Sequence, residues 1–189
     1  VSPVSDSGRR LLAETVKAIK QHGYRRISLR DIASAAGLTT GALYRHFPAK
    51  EDLLIQAGYV VSADIAERIL PDSPECENAF DELLHVGVGL LSLTQTEPNL
   101  VDFFFYGPLY AKAAKEDDGG KQPEFLSRIR AIIERASRQN ENAADPDLLF
   151  IQVWSFIQGY SSLVSHGVVK YDERSLGITL HDFLGIKRY

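Results

Sequence analysis

The sequence predicts an all-α protein of about nine helices, a three-helix N-terminal head followed by a larger helical body. Three features carry that expectation. Apolar residues recur at i, i+3, i+4 and i+7 in stretch after stretch, the spacing of one helix face. No segment alternates apolar and polar residues long enough to make a strand, and no repeat or low-complexity tract is present. The interruptions fall at Gly23, Gly37, Pro48, Pro71-Asp72-Ser73-Pro74 and Gly107-Pro108, residues at which helices stop.

In the head, residues 1–8 are polar and broken by Pro3 and Gly8, so disorder is expected there. A first helix is expected from about Arg9 to His22, with Leu12, Val16 and Ile19 inward and Gly23 at its end. Arg9 and Arg10 then lie at its start, against the helix dipole. They form either a basic arm for phosphate or the minor groove, or a solvated terminus. Ser28 to Phe47, SLRDIASAAGLTTGALYRHF, has the pattern of two short helices joined by a tight turn. Ser28 is a suitable N-cap with Asp31 as capping-box partner. Leu29, Ile32, Ala33 and Ala36 make a narrow apolar face. Gly37 sits where a helix closes in a left-handed cap. Thr39 can cap the next helix, in which Leu43 and Phe47 are the inward pair. Thr40, Gly41, Tyr44, Arg45 and His46 are left facing outward. Such a pair is a helix-turn-helix, whose second helix enters the DNA major groove.

The body begins with a long helix from Lys50 to about Leu70, in which Leu53, Leu54, Ala57, Val60, Val61, Ile65 and Ile69 are apolar. Pro71 to Pro74 is the expected domain joint, giving a head of residues 5–65 (motif 28–47) and a body of 75–189. The next helix, about 78–96, carries Leu83, Val86, Leu90 and Leu93; Gly87 and Gly89 let a neighbour come close. Gly87-Val88-Gly89 is not a nucleotide loop, because no strand precedes it and no third glycine follows. A short helix opens at Pro98 and runs through Phe103-Phe104-Phe105-Tyr106 to Gly107-Pro108. After the charged loop Lys115–Pro123, another spans about Glu124 to Gln139, with Phe125, Ile129, Ile132 and Ile133 inward. Asp145-Pro146-Asp147 is a strong start, with cap, proline at N1 and an acid in the first turn. The helix it opens, to about His166, is apolar nearly all round, and a last helix spans about Asp172 to Leu184. A helix apolar on every side must be buried on every side. A two-fold partner packing as a four-helix bundle would achieve that, with Phe150, Val153, Ile157, Tyr160, Leu176, Leu180 and Phe183 at the interface.

Composition narrows the function. The 44% apolar and 24% charged residues are those of a soluble globular protein. No run of ~18 apolar residues suggests a membrane span, and the first residues lack the apolar core of a secretory signal. The lone Cys76 excludes an internal disulfide and fits a reducing cytoplasm. The net charge of −4 divides unevenly. Residues 1–50 hold nine Lys and Arg against three acids, +6, and the remainder holds twelve against twenty-two, −10. A polyanion would be drawn to one end of the chain and repelled by the other.

The run Gly-Leu-Thr-Thr-Gly-Ala-Leu-Tyr-Arg-His-Phe-Pro-Ala-Lys-Glu-Asp-Leu resembles the signature of the tetracycline-repressor (TetR) family. Gly37, Leu38, Gly41, Leu43, Tyr44, His46, Phe47, Lys50, Glu51 and Leu53 carry the resemblance, which covers roughly residues 9 to 55. Trp154 to Gly167 is similar to a helix of some members. Ala49 departs from the family, which often has a Ser or Asn cap there. The resemblance implies that Tyr24 packs under the helix pair, that the chain forms a homodimer, and that an inducer occupies a pocket in the body. It also implies that occupation moves the long helix and spreads the paired readers beyond one duplex turn.

For DNA contact the candidates are Arg30, Thr39, Thr40, Gly41, Tyr44, Arg45, His46 and Lys50. Tyr44 and His46 offer a hydroxyl and a ring N–H to phosphate oxygens, and Lys50 adds an ammonium at a helix start. Thr40 can meet a thymine methyl or a base edge, and Gly41 lets the backbone come close. Packing alone is the plainer reading of Tyr44 and His46, but Leu43 and Phe47 already fill that role. With no Asn or Gln on this face, specificity should owe much to shape and phosphate geometry. In the body, His85, Phe104, Tyr106, Tyr110, Phe125, Trp154 and Gln158 could line an apolar pocket with a few polar points, Asn99 among them, or simply be core. No catalytic or metal-binding constellation is expected. His85 and His166 lack partners at metal spacing, and Ser161, Ser162 and Ser165 have no nucleophile elbow. The expected protein is a cytoplasmic repressor with no cofactor, released from a palindromic operator by a small apolar or aromatic effector. The rival readings are an activator or ligand-independent member, a helical enzyme or carrier that no longer binds DNA, and a structural adaptor.

Overall fold

The computed structural model describes residues 5–70, 78–113, 122–139 and 145–184. The fold is all-α: ten helices and one 3-10 turn among the described residues. Cys76, the Pro71–Pro74 joint, residues 1–4 and Lys115–Lys121 lie outside them. Contacts divide the chain into two units, Val1–Asp64 with Glu97–Pro123 and Ile65–Thr96 with Glu124–Tyr189. Residues 97–123 thus group with the head rather than with the body, where the sequence had placed them.

In the first unit, α1 (Asp6–His22) begins earlier than expected. The Ser5 hydroxyl accepts from the Gly8 N–H at 3.2 Å and Asp6 stands in the first turn, so residues 6–8 are helical, with Ser5 as their cap, rather than disordered. Arg9 and Arg10 consequently sit inside the helix, each within 4 Å of Asp6. The inward face includes Leu11, Leu12, Thr15 and Ile19, with Val16 only half-buried. A 3-10 turn (Tyr24–Arg26) leads to α2 (Leu29–Ala35), α3 (Thr40–His46) and α4 (Lys50–Ile69), whose residues belong to both units. Ala49 offers no capping oxygen to α4, but the Asp52 carboxylate reaches back to its N–H at 3.0 Å, the other half of a capping box. α6 (Pro98–Tyr106) packs on α1, and α7 (Pro108–Ala113), a helix not expected from the sequence, follows directly. At Gly107, between them, a Cβ would stand 2.5 Å from the Phe103 carbonyl, so only glycine fits. At Gly58 a Cβ would meet Leu109 at 2.8 Å, which brings α7 onto α4.

The second unit is arranged around α5 (Ala79–Thr96), which packs against α8 (Glu124–Gln139), α9 (Pro146–Ser165) and α10 (Glu173–Phe183). Gly87 and Gly89 permit the close approach expected of them: Cβ atoms there would lie 2.9 Å from Leu176 and 2.8 Å from Ile69. Ion pairs tie Arg135 of α8 to Glu82 of α5, and Arg128 donates to the Leu70 carbonyl. The centre is therefore α5, not α9. α9 buries Leu149, Val153, Ile157 and Ser161 and leaves Leu148, Ile151 and Leu163 exposed. It is long and apolar enough to match a membrane span in composition (mean hydropathy 1.2), but its buried face packs on α5, α8 and α10. Four residues expected at a dimer interface are thereby consumed by the chain's own core. Val153 is 8% and Ile157 5% exposed, and Leu176 and Leu180 are buried. Their apolar character serves α5 and α8 rather than a second chain. Phe150, Tyr160 and Phe183 are half-buried in aromatic contacts, Phe150 on Trp154 and the other two on Phe156.

Candidate nucleic-acid interface

The head is built to hold α3 rigidly. Ser28 caps α2, its hydroxyl accepting from the Asp31 N–H at 3.4 Å. α2 closes through paired bonds from the Leu38 N–H to the Ala33 carbonyl (2.8 Å) and from Gly37 to Ser34 (3.0 Å). That is a Schellman closure, and Gly37 has the positive φ, 68°, that it requires. Two residues later Thr39 caps α3, accepting from the Ala42 N–H at 3.1 Å. Ile32, Ala33 and Ala36 of the first helix and Ala42, Leu43 and Phe47 of the second are buried. The side chains between them have nowhere to go but out.

The outward face gathers most of the expected residues. Thr39, Gly41, Arg45 and His46 are exposed and Tyr44 keeps 47% of its surface, while Thr40 is half-buried. Arg30 is exposed on α2, and neither it nor Arg26 or Arg45 pairs with an acid among the described residues. His46 is held by the Ser7 hydroxyl, 3.0 Å from its Nε2. Sequence reasoning missed Ser7 by assigning its segment to a disordered tail. Lys50 is half-buried, with its ammonium donating to the Ile27 carbonyl at 3.0 Å. That bond uses one of three N–H donors and anchors the rest beside the start of α4.

Two other basic residues face α6 instead. Lys20 meets Glu97 at 2.9 Å and Arg25 meets Asp102 at 2.8 Å. The Tyr24 hydroxyl donates to the Tyr106 carbonyl at 2.9 Å, and Asn99 donates to the Lys20 carbonyl at 3.0 Å. Tyr24 also lays its ring on Phe103, centroids 5.3 Å apart. Burial raises its hydroxyl above the ordinary value. The charge excess at the N-terminal end thus goes partly into a bracket from the end of α1 and the 3-10 turn after it to α6, the α1–α6 bracket, and the other cations concentrate around α2 and α3.

The residues expected to form one pocket are dispersed. Phe125 and Trp154 line a partly open cavity of about 20 Å³ between α5, α8, α9 and α10, room for about one water. Every lining residue is apolar. The α5 stripe (Leu83, Val86, Leu90) supplies one wall and Leu176 with Leu180 another. That α5 periodicity was visible in the sequence, but nothing there matched it to a cavity. His85 is exposed on α5 and Gln158 half-buried on α9, and neither reaches the cavity. Phe104, Tyr106 and Tyr110 belong to the other unit, where Phe104 meets Tyr110 edge-on at 5.5 Å. Burial raises the Tyr110 hydroxyl well above its ordinary value, opposed by a hydrogen bond to Ser62. Among the described residues no three His, Cys, Asp or Glu side chains cluster to hold a metal.

Residues 11–57 match the family model for bacterial regulatory proteins of the tetR family, and that segment contains the whole α2–α3 pair. In that segment the chain is similar to the DNA-binding region of the TetR family. It is 37% identical over 139 residues to the HTH-type transcriptional repressor KstR of Rhodococcus jostii, 72% of this chain and 62% of that one. An uncharacterized HTH-type transcriptional regulator of Mycobacterium tuberculosis is 31% identical over 86 residues, 46% of this chain; the chain spans 40% of that relative's length. The same fold occurs in FadR of Bacillus subtilis, solved in complex with stearoyl-CoA: TM-score 0.69, 22% identity, 96% of this chain and 99% of that one.

Proposed function

We propose that this protein is a TetR-family, cytoplasmic, homodimeric repressor that binds a palindromic operator and is released by a small apolar or aromatic effector. The observation that carries this reading is the α3 face, capped at its start by Thr39 and presenting Gly41, Tyr44, Arg45 and His46 to solvent. Tyr44, His46 and Lys50 bind phosphate oxygens and fix register. Thr40 and Gly41 approach base edges, and Arg30 and Arg45 supply charge at the flanks. Two copies placing α3 in successive major grooves must hold them ~34 Å apart. The α9 face bearing Leu148, Ile151 and Leu163 is where a second copy packs.

The effector acts through the second unit, whose apolar cavity is too small for it until the helices part. A repressor named KstR and a FadR solved with an acyl thioester, both similar to this chain, support that assignment. The α1–α6 bracket of Lys20–Glu97, Arg25–Asp102 and Tyr24–Tyr106 passes movement of α6 to the head. The test is operator binding by Tyr44→Ala and Lys50→Ala, with duplexes drawn from the gene's own upstream region. Each should weaken binding at least tenfold while circular dichroism and the sedimentation coefficient stay unchanged. Unaltered affinity in both variants would remove the assignment.

A further inference from the structure

The wall of the second-unit cavity is connected to solvent by a ladder of stacked groups. Trp154 lines the cavity. Phe150, one turn earlier on α9, stacks on Trp154 with centroids 5.7 Å apart and planes 22° from parallel. The Arg130 guanidinium of α8 lies over the Phe150 ring, 4.0 Å from its centroid. Arg130 is 46% exposed, and its charge partner is Asp147, at 3.1 Å and itself 85% exposed. Within two rings the environment therefore passes from a wholly apolar interior to an accessible, planar cation. An ion pair this exposed is weak and readily exchanged for another anion.

We propose that this unit binds an anionic amphiphile, with its hydrocarbon tail in the cavity beneath Trp154 and its carboxylate or phosphate head on Arg130 in place of Asp147. The inference rests on reading the second unit as the effector domain and names the effector's chemistry. A cavity lined by Val86, Leu90, Phe125, Val153, Trp154 and Ile157 offers a ligand no hydrogen bond, so the part inside must be hydrocarbon. A guanidinium centred over an aromatic ring can turn its N–H edge, now on Asp147, to a two-oxygen anion and hold it bidentately. Because the void has room for about one water, the tail enters only as Phe150 and Trp154 swing aside. Trp154 lines the cavity and Phe150 stacks on it, and both rings are half-buried. Binding thus selects an opened arrangement of α8 and α9, and that differential affinity is what a switch requires.

Trp154 is the only tryptophan in the chain, so its emission reports the site without DNA present. The intact protein is titrated with dodecanoate, dodecyl phosphate, dodecanol, dodecyltrimethylammonium and butanoate, each below its micelle concentration. One or both long-chain anions should shift Trp154 emission saturably, at least tenfold more tightly than dodecanol; the tighter anion identifies the head. The cationic amphiphile and butanoate should not saturate. Arg130→Gln should remove the preference for the anion while leaving dodecanol affinity unchanged, and Asp147→Asn should tighten the anion several-fold. No saturable response to either long-chain anion, equal binding of the cationic amphiphile, or an Arg130→Gln variant that keeps the anion preference would overturn the proposal. Emission is read without operator, so failure of DNA binding and failure of this site are separate results.

Discussion

At the scale of single residues, the head depends on one left-handed position. Gly37 takes φ 68°, and an added Cβ would meet nothing nearer than Arg10 Nη1 at 3.9 Å. Gly37→Ala therefore pays in backbone conformation alone, about 1 kcal/mol of stability in urea denaturation. Gly107→Ala differs in kind: its Cβ would stand 2.5 Å from the Phe103 carbonyl oxygen, a backbone atom that cannot turn away. Its loss should exceed that of Gly37→Ala, and a smaller loss would show that the α6–α7 turn yields more easily than its geometry implies. Gly37 was legible in the sequence because a helix face ended just before it and another began just after. Gly107 was legible only as a stop. What a Cβ would strike there depends on a carbonyl four residues back, and composition does not encode that.

Among helices, caps and brackets decide the details. Asp172 caps α10, accepting from the N–H groups of Arg174 and Ser175 and from the Ser175 hydroxyl at 2.5 Å. The Ser175 hydroxyl, followed by the backbone N–H groups, holds its carboxyl below the ordinary value of 3.8. A carboxyl depressed in the folded state binds its proton more readily when unfolded. Its contribution is complete above pH 3.8 and is lost as pH falls through the lower folded value. Asp172→Asn, which can still cap, should flatten the fall in urea midpoint between pH 4 and 2.5 relative to the native chain. Equal slopes would contradict the assignment. The α1–α6 bracket makes a different prediction. Its Arg25–Asp102 pair is well exposed, so Asp102→Asn should cost under about 1 kcal/mol of stability yet blunt effector-driven release of the operator. Unchanged release in that variant would free α6 from the relay.

The reach of sequence reasoning also differed by element. The helix pair was placed almost to the residue, because its caps, glycine and apolar pairs are local. The start of α1 was missed because Pro3 and Gly8 suggested a frayed tail, whereas Ser5 and Ser7 hold helix and His46 in place. The inward side of α9 was missed for a different reason. When nearly every residue of a helix is apolar, periodicity gives no direction, and Val153 and Ile157 are as plausible outside as inside. Gly87, which admits Leu176, helps settle the matter by drawing α10 onto α5.

For the whole molecule, the proposed dimer uses the exposed stripe of α9. Ile151 is 59% exposed in the single chain, so Ile151→Glu should leave the fold intact and raise the dimer dissociation constant at least tenfold in sedimentation equilibrium. A dimer of unchanged affinity would place the two-fold axis elsewhere. Charge acts at the same scale. Residues 1–50, at +6 in a chain of −4, attract a polyanion that the remainder repels, which favours an oriented encounter. The most direct measurement is the affinity of the protein for a duplex from its own upstream region at stepped salt concentrations. The logarithm of the binding constant should fall steeply and linearly with the logarithm of salt, and the slope should shrink by about one for each phosphate contact removed, as in Lys50→Ala. Binding that is absent at low salt, or indifferent to salt, would contradict a DNA-reading head.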